Sequence, residues 1–162
     1  PTWAYGMSAQ LEAVAEQIFD EVVEVVVALG AIVGSSSAPT IERAWSRGRA
    51  RTLALALLSA DDDESAQAAI DLACVLFPGR CEPDTEWWRS PLGQAVARSI
   101  GHPTAESVTQ AVAAAMLGLH PQGIGRLVRL GKLDRHPDGH VLASSVRHYA
   151  ATRRPWNRRP PQ

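Results

Sequence analysis

The sequence predicts a mainly α fold in two parts, an N-terminal helical bundle followed by a helical module that carries one small β-hairpin. Three observations predict it. An apolar seam at helical spacing runs through residues 7–33. Charge divides by position: residues 1–100 hold 7 Arg against 14 Asp or Glu, whereas residues 101–162 hold 9 Lys or Arg against 3 acids. Near the C-terminal end, two short apolar helices are broken at Gly118 and followed by a Pro-Asp-Gly turn.

A chain of 162 residues is long enough for one domain or two small ones. Its 46% hydrophobic and 20% charged residues exclude a disordered chain. The longest apolar run, Val22 to Val33, is interrupted by Glu24 and falls short of the roughly 20 residues that span a bilayer. No basic start precedes an apolar segment, so neither a membrane partner nor a secretory leader is expected, and a cytoplasmic location is. Cys74 and Cys81 make neither a disulfide framework nor a zinc pattern, and Cys74, in an apolar run, reads as a small core residue.

In the first helix Leu11, Ala15, Ile18, Val22, Val25, Leu29 and Ile32 form the seam, with Phe19, Val26 and Val33 as a second stripe beside it. Ser8 is the expected start and Gly34 the stop. A stripe of that width serves a globular core or a dimer seam. The opposite face holds Glu12, Glu16, Asp20, Glu21 and Glu24 with no base, so it repels a polyanion. After the linker at 35–40, Thr40 is the candidate cap of a second helix reaching about Ala60. Its Arg43, Arg47, Arg49 and Arg51 are expected to answer the acids of the first helix, within or between chains, with phosphate contact as the alternative.

Asp61, Asp62, Asp63 and Glu64 resemble a metal cluster, but they precede Ala66, Ala69, Ile70, Ala73 and Leu76. They read as the N-terminus of a third helix, where acids are stabilised by the helix dipole. That helix stops at Phe77-Pro78-Gly79. A fourth begins near Pro83-Asp84 and contains Trp87-Trp88, core or interface anchors. Ser90 caps the next, with Pro91 at its first position. Gly101-His102-Pro103 is the expected domain boundary, giving an acidic helical domain over 1–101, a module over 102–154 and a basic Pro/Arg tail over 155–162.

Within the module a helix is expected from Thr104 to Leu117, its Ala113 to Ala115 small enough for close helix approach. Gly118 supplies a left-handed exit, His120 an N-cap and Pro121 the first residue of a second helix, which Gly131 ends. Ile124, Leu127 and Val128 form its inner face and leave Gln122, Gly125, Arg126 and Arg129 outside. Leu133 to Leu142 reads as strand, turn and strand, and Ser144 or Ser145 caps a closing helix with Val146, Tyr149 and Ala150.

A small-residue helix, a glycine turn and a second helix with basic outer positions follow the pattern of a helix-turn-helix. Ala-Ala-Met-Leu-Gly-Leu-His over 114–120, then Ile124, Leu127-Val128 and Gly131-Lys132-Leu133, resembles the excisionase-type branch of the MerR family of winged helix-turn-helix proteins, over residues 107–154. The resemblance implies a second helix in the DNA major groove, a hairpin wing on the backbone and a closing helix. The chain departs from the family pattern in two places. His120 stands where a hydroxyl residue is usual, and Gly123 and Gly125 stand where larger polar residues are.

The expected fold is therefore a helical bundle plus a C-terminal winged helix-turn-helix. The expected partners are double-stranded DNA and a second copy, joined through the N-terminal helices. The expected contact residues are His120, Gln122, Gly123, Gly125, Arg126, Arg129, Lys132, Arg135, His136, His140, Arg153, Arg154, Arg158 and Arg159. Transcriptional regulation is the first expected role, in the nucleoid. Excision, plasmid segregation or nucleoid architecture, and a protein-interaction adaptor with a degenerate helix-turn-helix, are the alternatives. No phosphate-cradling glycine loop with Lys and no activated Ser or Cys set is present in the sequence, so neither an enzyme nor a cofactor is expected. His136, His140 and His148 lack a cysteine nearby and do not read as zinc ligands.

Overall fold

The computed structural model describes residues 2–33, 45–79 and 82–153, with side chains described for 6–32, 45–79 and 82–153. Among these the chain is mainly helical, with one two-stranded antiparallel sheet. It divides into two compact units, Pro1–Cys81 and Glu82–Gln162. The break at Gly101-His102-Pro103 predicts this division between 101 and 102. It falls earlier because the helices around Trp88 and Val96 pack on the C-terminal helices, with Trp88, Leu92 and Val96 in that unit's core.

The first unit contains α1 (Thr2–Val33), α2 (Arg47–Leu57) and α3 (Asp62–Leu76). On α1 the seam is buried at Ala15, Ile18 and Val22, together with Val14 beside it. Three residue pairs hold α2 antiparallel beside that stretch. Trp45 stacks on Phe19 with ring centroids 6.3 Å apart, and its indole N–H donates to the Phe19 carbonyl at 3.2 Å. Arg47 pairs with Glu16 at 3.2 Å, and Arg51 pairs with Glu12. The arginines thus answer the acidic helix, as their placement suggests. Ser46 caps α2, and the expected cap Thr40 lies outside the described residues, as do Arg43 and Cys81.

Asp61 accepts from the Asp63 and Glu64 amides at 2.9 and 3.1 Å, so the acidic run is a helix cap. The buried stripe of α3 is Ser65, Ala68, Ala69, Leu72 and Ala73, one register from the expected one. Ile70 and Cys74 are therefore exposed rather than in the core. Ser65 decides the register, because its buried hydroxyl donates to the Leu57 carbonyl at 2.9 Å.

The second unit is built around α6 (Gln110–Leu117), against which α4 (Thr85–Arg89), α5 (Pro91–Ser99), α7 (Pro121–Arg129) and α8 (Ala143–Thr152) all pack. The strand β1 (Ser107–Val108) precedes α6 and pairs with β2 (Val141–Leu142), in register Ser107↔Leu142 and Val108↔Val141. The helix expected from Thr104 thus begins at Gln110, where Thr109 caps it by accepting from the Val112 amide at 3.2 Å. Val108 is 5% exposed and serves the core as a strand residue.

Glycines set the close approaches. A Cβ on Gly93 would lie 2.1 Å from the Trp87 carbonyl oxygen and 2.8 Å from the Trp88 Cα. That absent side chain lets α5 fold back directly on α4, with Ser90 capping α5 through the Gly93 amide at 3.1 Å. Trp88, fully buried, then packs its ring 5.3 Å from His102. The His102 Nδ1 accepts from the Thr104 and Ala105 amides at 3.3 and 2.9 Å, which needs an unprotonated nitrogen. Burial lowers the His102 pKa below its ordinary value, and Glu82 opposes the shift.

Two outcomes are expected. Gly93→Ala forces backbone apart and should cost about 3 kcal/mol of stability in chemical denaturation. His102 has a folded pKa depressed below its unfolded value. Its contribution is full above the ordinary histidine pKa of about 6.5 and is lost as pH falls through the lower folded value. The melting temperature should therefore drop on acidification from neutral pH, and His102→Asn should flatten that drop.

Candidate functional site

The sites singled out in the sequence fall on α7 and on the segment that leaves it. Gly118, at φ +62°, ends α6 in the left-handed conformation that a side chain disfavours. Two backbone bonds close that end, Gly118 N–H to the Ala115 carbonyl at 3.1 Å and Leu119 N–H to the Ala114 carbonyl at 2.8 Å. The chain then enters α7 with His120 as its cap, the Nδ1 accepting from the Gln122 amide at 3.4 Å, and Pro121 at the first helical position. Gly131, at φ +66°, ends α7 in the same way, with Gly131 and Lys132 donating to the Val128 and Leu127 carbonyls at 3.0 and 2.9 Å.

Ile124 is fully buried, with Leu127 and Val128 half-buried beside it. The opposite face carries Gln122, Arg126 and Arg129, all exposed and spaced i, i+4, i+7, which lines them along one stripe. Gly123 and Gly125 flank the stripe on either side, and a Cβ built on either glycine meets nothing within 4 Å. This face therefore presents two guanidinium forks and one amide above bare backbone. Its chemistry is donation to planar acceptors and to phosphate oxygens.

Beyond α7, Leu133 is 2% exposed and anchors the segment in the core, while Lys132 and Arg135 are exposed. The expected first strand of the hairpin is a single bridge, Arg135↔Val141, and β2 takes its main partner from β1 instead. The turn itself forms as expected. Gly139 N–H donates to the His136 carbonyl and His136 N–H to the His140 carbonyl, both at 3.0 Å, with Gly139 at φ +90°. The expected serine cap of α8 is absent, since Leu142 precedes α8 with no side-chain bond. Ser145 instead ties the strand crossing to α8, accepting from the Asp134 amide at 3.0 Å and donating to the Leu142 carbonyl at 2.8 Å.

Asp138 organises the tip. It accepts from the Ser107 hydroxyl and from the His140 amide at 2.8 Å, and the Nδ1 atoms of His136 and His140 lie 3.0 and 3.5 Å from its oxygens. The Ser107 hydroxyl, first, and the His140 amide hold its pKa down to about 2. The tip is thus pinned to β1 with Asp138 ionised. That contribution is present above the ordinary carboxylate range and is lost only as pH falls through about 2. Part of the hydrogen-bonding capacity of His136 is used here, since its Nδ1 accepts from the Asp138 amide at 3.3 Å.

Of the expected contact residues, Arg153 is exposed at the end of α8, 5.7 Å from the Tyr149 ring centroid. Arg154, Arg158 and Arg159 lie outside the described residues. Sequence reasoning missed the Ser107–Asp138 link, which joins residues 31 apart and has no local signature. Among the described residues no group of three His, Cys, Asp or Glu is placed to hold a metal ion, and no helix is long and apolar enough to cross a membrane.

Because the glycine positions on α7 are open, Gly123→Ala and Gly125→Ala should each stabilise the chain by up to about 1 kcal/mol, the reverse of Gly93→Ala. Denaturant midpoints of the two variants check this. Comparison with known protein families, with curated proteins and with solved structures finds no match.

Proposed function

We propose that the chain binds double-stranded DNA through its C-terminal unit and acts as a transcriptional regulator, two copies engaging two half-sites. In this reading α6 and α7 form a helix-turn-helix of the excisionase-like MerR type, and α7 enters the major groove. The turn at 136–140 is the wing. The observation that carries the reading is the stripe of Gln122, Arg126 and Arg129 on the outer face of α7, opposite buried Ile124. Arg reads guanine through O6 and N7, and Gln reads adenine through N6 and N7. The acidic first unit, residues 1–81, repels the same polyanion, which leaves contact to the second unit, residues 82–162.

One observation favours a second role for the same chemistry. Gly123 and Gly125 remove side chains from the groove-facing helix, so backbone contact outweighs base reading. An architectural, excision or segregation protein uses DNA in that way.

Fluorescence anisotropy with duplex DNA at several salt concentrations tests the proposal. Phosphate contact by Arg126, Arg129, Lys132, Arg135 and Arg153 should give a slope of log affinity against log salt of about −4.5 for each copy bound. Arg126→Ala and Arg129→Ala should each weaken binding about tenfold, and a base-reading arginine should also relax preference at one position. Absence of binding to any duplex at low salt overturns the proposal. Equal affinity for all sequences selects the architectural role.

A further inference from the structure

We infer that the C-terminal stretch of α1, along Val25, Leu29 and Ile32, is the surface through which two copies of this chain associate. Helix α1 has 32 residues and is about 48 Å long, whereas α2 with 11 and α3 with 15 reach about 16 and 22 Å. The pairs Trp45 with Phe19, Arg47 with Glu16 and Arg51 with Glu12 run α2 toward the N-terminal end of α1, away from Val25. The stripe that buries Val14, Ala15, Ile18 and Val22 continues along the same face. There Val25 is half-buried, Leu29 is 47% exposed and Ile32 is 81% exposed.

Charge selects the occupant. From Val25 to Val33 there is no charged residue, while residues 1–81 as a whole carry 5 Arg against 11 Asp or Glu, a net of −6. A basic partner is drawn to the acidic face of α1 and a polyanion is repelled by it, but neither is matched by this uncharged stripe. Two acidic copies meet with least repulsion where charge is absent, and an apolar seam at 3.5-residue spacing is complementary to its own copy about a two-fold axis. Area sets the strength. A stripe of about nine residues is about 13 Å long and buries a few hundred Å² per copy, below the roughly 800 Å² of a standard interface. The association is therefore reversible, and simultaneous engagement of two half-sites reinforces it. It deepens the DNA-binding reading above and is measured without DNA.

Sedimentation equilibrium of the full chain from about 1 to 500 μM spans the range in which such an interface associates. The average mass is expected to rise from 17.4 kDa toward twice that value. Added salt should strengthen the association by screening the acidic units, the opposite of its effect on DNA binding. The double variant Leu29→Asp, Ile32→Asp should weaken the association at least tenfold. Its circular dichroism and melting temperature should be unchanged, since both side chains are exposed. A wild-type chain that stays monomeric throughout overturns the inference and leaves the stripe to another protein. A double variant that associates as strongly as wild type also overturns it, by placing the interface elsewhere. Neither result bears on duplex binding by the other unit.

Discussion

The second unit depends on the burial of one helix from every side. Ala113, Ala114 and Ala115 are consecutive and each fully buried, so α6 has no solvent-facing side over that turn. A helix hidden all round must be apolar all round, and here it must also be narrow. Methyl side chains let α4, α5, α7 and α8 approach its backbone together. Larger residues fill the remaining space from the neighbours: Trp88 from α4, Leu92 and Val96 from α5, Ile124 from α7 and Val146 from α8.

The exposed site follows from that arrangement. Because Ile124 seats one face of α7 on α6, the stripe of Gln122, Arg126 and Arg129 has nowhere to lie but outward. The left-handed glycines at 118 and 131 fix both ends of the exposed segment with backbone bonds, so its position does not rest on side-chain contacts of its own. The tip at Asp138 is held by a separate device, the hydroxyl of Ser107 across the sheet. In the first unit the interactions are of another kind. Ion pairs on the surface, such as Glu12 with Arg51, contribute about 0–1 kcal/mol each, and burial of the α1 seam supplies the rest.

Caps and turns were the most legible features, because each is a local geometry written by one or two residues. Asp61, Ser90 and His120 accept from amides two or three residues ahead, and Gly118, Gly131 and Gly139 take the positive φ their neighbours require. The helical character, the pairing of α1 with the arginines of α2 and the outer stripe of α7 were readable for the same reason. Less legible were choices between near-equal local signals. Thr104 and Thr109 can each cap a helix, and the pairing of Ser107-Val108 with Val141-Leu142 selects Thr109. Stripes one residue apart were both available to α3, and the bond from Ser65 to Leu57 selects the one that exposes Cys74.

What the amino-acid order determined by itself is the helical character, the caps at Asp61, Ser90 and His120 and the separation of acidic from basic residues, since these follow from spacing, capping and charge along the chain. Tertiary structure alone decided that the chain divides at 81/82, that β1 exists, and that the middle of α1, from Val14 to Val22, is core while Leu29 and Ile32 beyond it are exposed. The physical reason is the same in each case. A helix segment gains or loses burial according to the reach of neighbours distant in sequence, and α2 turns away before Val25 while α4 and α5 find their cover on α6.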